Sequence, residues 1–452
     1  MTAIIVFCIL CLLLVTGKLL RLSVPILQRL YLPSSVVGGI VGLVLISVFR
    51  DRIPGDWIGI IKQVPGFLIN VVFASLFLGK MTPAFKKIWS LALPQLCMGQ
   101  LLAWGQYVFG LGLCGLLLIP CFGVPEAFGN LLEIGFQGGH GTVGGLISTF
   151  ENYNWTDGIA LGFTMATAGM VLGIVVGMVL VNWALRKGAI GNVRMFGDRN
   201  VLEQRGIYRV RLRPDAGKQT VFSDSIDSLA WHIALIGLAI LIGFGMLKGL
   251  QWAEVELFPG SEGKRIFSGF PLFPLCMIGG LLLQKLMQRL RMHKLIDHGQ
   301  MQRLAGASLD FLVVSAVATI QISVVAANWK PLLILIVAGT LWSVILVVWL
   351  APRLFKEAWF ERAISEFGQS LGVTATGLLL LRTVDPENKT VAAESFGYKQ
   401  LLHEPFMGGG LWTALALTLV FNIGWFKLWL ICCGAFAVWW IITGFILVKN
   451  RR

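Results

Sequence analysis

The sequence predicts an all-α integral membrane protein. Its expected plan is two inverted five-helix repeats, each with a glycine-rich re-entrant segment, followed by one extra C-terminal helix. Three observations carry this. The 452 residues are 56% hydrophobic and only 13% charged, against about 25% charged in a soluble domain. The apolar residues are gathered in long runs such as 3–14, 36–48, 332–348 and 431–448. An ordered set of prolines, glycines and polar residues occurs twice along the chain.

An apolar run of about 20 residues crosses the roughly 30 Å hydrocarbon core as a helix. Backbone groups in lipid must bond internally, so the runs read as helices. The pattern places eleven spanning helices at approximately 2–22, 33–50, 64–80, 89–119, 157–185, 228–250, 268–288, 305–327, 331–351, 404–423 and 426–448. Two shorter, interrupted segments lie at 126–150 and 363–383. The first run has no basic segment ahead of it and continues into Lys18 and Arg21, so it reads as a spanning helix rather than a cleaved leader. Pro94 and several glycines predict a tilted or kinked fourth span.

A net charge of +14 could suggest nucleic acid. Here the basic residues sit in short loops between apolar runs, where they set topology instead. With the stretch 186–227 in the cytoplasm, most Lys and Arg fall on that side, leaving outside only Arg50, Arg52, Lys62, Lys248, Lys264, Arg265, Lys330 and Lys427. The N-terminus is then outside and the C-terminus cytoplasmic. Residues 1–185 form the first repeat, 186–227 a cytoplasmic linker carrying Arg209, Arg211, Arg213, Asp215, Asp224 and Asp227, 228–424 the second repeat, and 425–452 the extra helix and tail. Cys8 and Cys11 have metal-like spacing, but an isolated pair lacks the other ligands of a zinc site.

The doubled pattern begins with Pro33, Gly38 and Gly39, which recur at one spacing as Pro274, Gly279 and Gly280. Asn70 and Ser75 then correspond to Asp310 and Ser315, and Glu133-x-Gly135 to Glu366-x-Gly368. Five spans per half put the second copy upside down relative to the first, an architecture of many secondary transporters.

The stretch Gly135-Phe-Gln-Gly-Gly-His-Gly-Thr-Val-Gly-Gly145 is a poor lipid-facing helix, because each interior glycine costs about 1 kcal/mol relative to alanine. Broken backbone at membrane depth survives inside protein or beside a watery cavity. Its amides can hold a carboxylate and its carbonyls a sodium ion. The second stretch, 368–377, adds the hydroxyls of Ser370, Thr374 and Thr376, oxygen ligands for a hard cation. Close helix packing also uses small residues, but it leaves Gln137, His140 and Gln369 unexplained. No Lys follows the glycines at phosphate-loop spacing.

The run Phe136-Gln-Gly-Gly-His-Gly-Thr142 resembles the signature of the bacterial sodium/glutamate symporter family. Tyr31-Leu-Pro-Ser-Ser-Val-Val-Gly-Gly39 and Ala166-Thr-Ala-Gly-Met-Val-Leu-Gly173 resemble two further elements of it, and the likeness covers residues 20 to about 420. The resemblance implies sodium-coupled import of glutamate, two re-entrant loops, a homodimer, and the bacterial inner membrane. Gly138, Gly139, His140, Gly141 and Thr142 would then lie in the first loop. Two departures are a second segment less glycine-dense than the family's, and the extra C-terminal span.

The candidate substrate residues are therefore Gln137, Gly138, Gly139, His140, Gly141, Thr142, Gln369, Ser370, Thr374, Thr376 and Arg382. Arg382 either grips a substrate carboxylate bidentately or bridges to Asp385. Asn70, Asp310, Ser315, Thr374 and Thr376 are the candidates for ion coupling; a carboxylate within a span is costly and marks function. The expected partners are a small carboxylate, Na+ and lipid, with no cofactor and no transition metal. Alternatives are a sodium- or proton-coupled carrier of another carboxylate such as a hydroxy-acid, and an ion exchanger or channel on the same repeat. No nucleophile–base pair or metal cluster appears in the spans, so an enzyme is not expected.

Overall fold

The computed structural model describes residues 2–30, 32–50, 52–80, 85–190, 202, 205–208, 213, 215–257, 267, 270–385 and 389–451. Tyr31, Arg209, Arg211, Lys264 and Arg265 lie outside them. Every regular element among the described residues is helical. The first half contains α1 (Thr2–Ser23), α2 (Ser34–Val48), α3 (Gly55–Ser75), α4 (Phe85–Leu113), a broken segment over 126–152, and α5 (Asp157–Arg186). The second contains α6 (Ser228–Leu257), α7 (Phe273–Arg289), α8 (His298–Ala318), α9 (Trp329–Ile345), α10 (Trp359–Val384), α11 (Ala392–His403) and α12 (Leu411–Ile423). Helix α13 (Trp425–Arg451) follows.

Among the described residues, eight helices are long and apolar enough to cross a membrane, and their apolar windows are at most half buried within the protein. Exposed side chains such as Phe7, Leu12, Leu241 and Phe445 are what the hydrocarbon core would cover. The protein is a multi-pass membrane protein. Helices α2 and α12 are shorter apolar helices.

Proline shapes two helix ends alike. Helix α4 runs into a π turn at Cys114–Leu118 just before Pro120, and α9 into another at Leu346–Leu350 just before Pro352. A proline ring crowds the carbonyl four residues earlier and offers no N–H, and the wider turn absorbs that local misfit. Glycine pairs shape two helix contacts alike. A Cβ on Gly38 of α2 would stand 2.3 Å from the Leu13 carbonyl oxygen of α1, and one on Gly279 of α7 would stand 2.2 Å from that of Ala239 on α6. Only glycine permits backbones so close.

Several boundaries differ from the sequence reading. The span expected at 404–423 begins only at Leu411, because Pro405 and the left-handed Gly408 and Gly409 keep 404–410 out of the helix. The span expected at 64–80 starts at Gly55 and carries Pro65 inside it. The stretch before His403, which lacks an apolar run, forms α11. In the linker, Asp227 caps α6 by accepting from the amides of Leu229 and Ala230 at 2.9 and 3.2 Å. The extra helix α13 packs on α4. Trp425 fills the space beside Gly115, and the Trp429 indole donates to the Val108 carbonyl at 3.0 Å.

Candidate functional site

Two interruptions of the helical backbone meet at one place. The first segment makes a π turn at Ile134–Gly138, then breaks at Gly139, with φ 67° and ψ −166°, before a short helix. In α10 the break falls at Gly372 (φ −138°, ψ 37°) and Val373 (φ 58°, ψ 176°). The left-handed extended region is essentially reserved for glycine, so Val373 holds a strained conformation. The breaks touch: a Cβ on Gly139 would lie 2.4 Å from Cγ1 of Val373.

Around this junction lies a cavity of about 690 Å³. Gln137, Gly138, Gly139, His140 and Gly141 line it from the first segment, and Gln369, Thr374 and Thr376 from the second. Asp310 of α8 and Glu404, after α11, also face it. Much of the remaining lining is apolar, including Val36, Ile69, Val72, Phe73 and Met170.

The hydrogen bonds fix these side chains. The Thr167 hydroxyl donates to the Phe163 carbonyl at 2.9 Å, so it accepts from Nε2 of His140, also 2.9 Å away. The Thr374 hydroxyl donates to Oε1 of Glu404 at 2.8 Å. Asp310 is exposed, with the Ser35 hydroxyl as its neighbour.

Five sequence candidates stand away from the lining. The Thr142 hydroxyl donates to the Gly138 carbonyl at 2.9 Å, within its own segment. Ser370 is buried, with its hydroxyl 2.9 Å from the Phe367 carbonyl and 3.1 Å from the Ser343 hydroxyl, either of which can take its one proton. The Asn70 amide donates to the Gly66 carbonyl at 2.8 Å and the Ser315 hydroxyl to that of Phe311 at 2.8 Å, each within its own helix, while Oδ1 of Asn70 accepts from the Cys276 thiol of α7 at 3.6 Å. Arg382 is exposed on the last turn of α10. The neighbouring Asp385 instead accepts from the amides of Lys389 and Thr390.

The family model for sodium/glutamate symporters matches residues 1–386. The chain belongs to the sodium/glutamate symporter family. Two curated relatives are named sodium/glutamate symporter, from Escherichia coli (strain K12) and Shigella flexneri. Each is 21% identical over 375 residues, covering 82% of this chain and 86% of the relative. The family is one of transporters, not enzymes.

In this family member the sequence reading missed the contribution of α11 and the turn after it. Lys399, Gln400, His403 and Glu404 come to one helix face through their spacing. The Lys399 side chain is wholly buried and pairs with Glu366 at 2.9 Å. Nε2 of His403 donates to Oε1 of Gln137 at 3.1 Å, joining α11 to the first segment. Glu133, at the start of that segment, accepts from the Tyr107 hydroxyl at 2.7 Å, the Gly408 amide at 2.9 Å and the Thr413 hydroxyl at 3.0 Å. These four polar residues in a stretch without an apolar run were a usable signal. A mostly polar helix between spans has no reason to be buried unless its polar face meets partners inside the protein.

Proposed function

We propose that this chain is a sodium-coupled glutamate importer, with the cavity at the junction of the two broken segments as its substrate and ion site. The observation that carries the reading is the contact between Gly139 and Val373. Two backbone breaks meeting beside a cavity supply amides for carboxylates and carbonyls for cations. Among the described residues, the side chains lining that cavity include the carboxylates of Asp310 and Glu404 and no Lys or Arg. An anionic substrate there needs sodium as its counter-charge, which accounts for coupling. Sodium ligands would come from the hydroxyls of Thr374 and Thr376, backbone carbonyls and Asp310. Gln137, His140 and Gln369 would orient the substrate, while Thr142 and Ser370 would stiffen the two segments from behind. Asn70 and Ser315 would act on coupling through the positions of α3 and α8. Arg382 would serve at the aqueous entrance.

The same proposal includes two inverted repeats, 1–185 and 228–424, joined by a cytoplasmic linker at 186–227, with 425–452 appended. The paired π turns before Pro120 and Pro352 support it. So do the paired glycine contacts at Gly38 and Gly279 and the break that follows Glu133 and Glu366 at nearly equal distance. Each broken segment would be re-entrant, with alternating access exposing the junction to either side. The N-terminus would lie outside and the C-terminus in the cytoplasm of a bacterial inner membrane. A homodimer, implied by the family resemblance, belongs to the proposal and is read from the mass of the detergent-solubilised protein.

Uptake of labelled L-glutamate into proteoliposomes, with and without an inward sodium gradient, tests the reading. Gradient-dependent accumulation is expected. No accumulation, alongside sodium-driven uptake of a different carboxylate, would replace glutamate as substrate. No coupled uptake of any carboxylate would overturn the transporter reading.

A further inference from the structure

Lys399 of α11 places its ammonium among three side-chain oxygens. Nζ lies 2.9 Å from Oε2 of Glu366 and 3.1 Å from Oε1 of Gln400, and it also donates to Oε1 of Gln369. Both members of the ion pair are fully buried. One carboxylate and two amide carbonyls from two helices form the donor set that a hard cation takes. Oε2 of Glu366 faces the ammonium, while its Oε1 accepts from the Gln95 amide at 2.9 Å. Glycine makes the room: a Cβ on Gly99 would stand 2.3 Å from Cε of Lys399 and 2.8 Å from Oε2 of Glu366.

The buried carboxylate at the corresponding position of the first segment is treated differently. Glu133, at the matching position before the first break, is held entirely by neutral donors. The caged ammonium also communicates with the cavity. Gln369 lines it directly, and the Gln400 amide donates to the Thr374 hydroxyl and to Oε1 of Glu404, both of which line it.

We propose that the Lys399 ammonium is a tethered cation occupying a sodium-type site built from Glu366, Gln369 and Gln400, so that the second segment carries a fixed positive charge where it would otherwise need an ion. This rests on the transporter reading only for its consequence, a sodium stoichiometry lower by one ion. The site itself is tested without transport. Removing the ammonium vacates an oxygen cage beside a buried carboxylate, and sodium fills it.

The test compares wild type, Lys399→Ala, and Lys399→Ala with Glu366→Gln, as the full chain in detergent without glutamate. Melting temperature is read against NaCl, with choline chloride holding the ionic strength constant. The single variant is expected to gain a sodium-specific stabilisation that climbs with the logarithm of NaCl, beyond that of wild type and absent from the double variant. A sodium response equal to wild type would overturn the proposal and leave Lys399 a structural pin. So would a double variant that responds like the single one. A single variant that fails to fold in both salts also overturns it, because a vacant sodium-type site refills from NaCl. Failure of glutamate uptake by wild type bears on the transporter reading and leaves this comparison intact.

Discussion

The backbone of Gly139 and the side chain of Val373 occupy adjoining space, so that a methyl group on the glycine would come within 2.4 Å of Cγ1 of the valine. Both residues have left-handed φ and extended ψ. The junction is thus bound twice, by conformation at each residue and by contact between them.

Gly139→Ala meets both constraints. The backbone conformation alone costs about 1–3 kcal/mol for a residue with a Cβ, and the new methyl must displace Val373. Glutamate uptake is expected to fall at least about tenfold, the rate equivalent of ~1.4 kcal/mol, with membrane insertion unchanged. Adding Val373→Gly removes the clash and the second strained residue, so the double variant should regain part of the loss. Uptake assayed across the four members of the cycle gives the coupling. Strict additivity would separate the two breaks.

Thr376 lines the cavity and is almost fully buried. Thr376→Val keeps the shape and removes one oxygen. As a sodium ligand lost, it should raise the half-saturating sodium concentration about tenfold, or ~1.4 kcal/mol, while the fold survives. Uptake measured against sodium concentration decides; an unchanged curve means that the hydroxyl serves packing alone.

Much of this arrangement was readable in the sequence. Six glycines within 135–145 forecast a break, and Gly139 is where it falls. Asp310 drew attention as a carboxylate in an apolar run, and it faces the cavity. The break at Val373 was not readable, because a β-branched residue is the poorest candidate for positive φ. The polar residues of α11 were a signal, but their long-range partners were not readable: Glu366 for Lys399 and Gln137 for His403. A single sequence displays periodicity within a helix, but not the pairing of a lysine with a carboxylate from another one. Asn70 and Ser315 were singled out by repeat position; their donor groups bond to their own helices, and Oδ1 of Asn70 accepts from Cys276 of α7.

Asp310 offers a carboxylate to the cavity from α8. If it holds a coupling ion, Asp310→Asn removes a charged interaction of about 1.5–3 kcal/mol, and sodium-driven uptake should fall by one to two orders of magnitude. Asp310→Glu should retain more. Equal uptake by wild type and Asp310→Asn would show instead a water-exposed helix residue without a role in coupling.

Asp385 gives a pH dependence outside the spans. Burial alone would raise its pKa, but hydrogen bonds from the Thr390 hydroxyl at 2.6 Å, the Thr390 amide at 2.9 Å and the Lys389 amide at 2.8 Å prevail, and the carboxyl sits below its ordinary value. A depressed folded pKa contributes stability that is fully present above the unfolded value of about 3.9. That stability is lost as pH falls through the folded pKa. Asp385→Asn should therefore lower the melting temperature at neutral pH and by less in acid. A difference independent of pH would assign the effect to geometry.

Glu133 separates scaffold from transport chemistry. Its Oε1 accepts from the Gly408 amide and the Thr413 hydroxyl, and its Oε2 from the Tyr107 hydroxyl. In Glu133→Gln the amide oxygen keeps the first two bonds, and the Tyr107 hydroxyl can turn to accept from the new NH2, since a phenol serves as donor or acceptor. In Glu133→Ala three donors lose their acceptor in the interior, at about 1–3 kcal/mol for each group left unsatisfied. If the carboxylate is a strut between the first segment and the turn before α12, the alanine variant should melt far earlier than wild type. The glutamine variant should then melt slightly earlier and still transport. Melting curves paired with uptake distinguish this from a direct role, in which Glu133→Gln would keep its stability and lose transport.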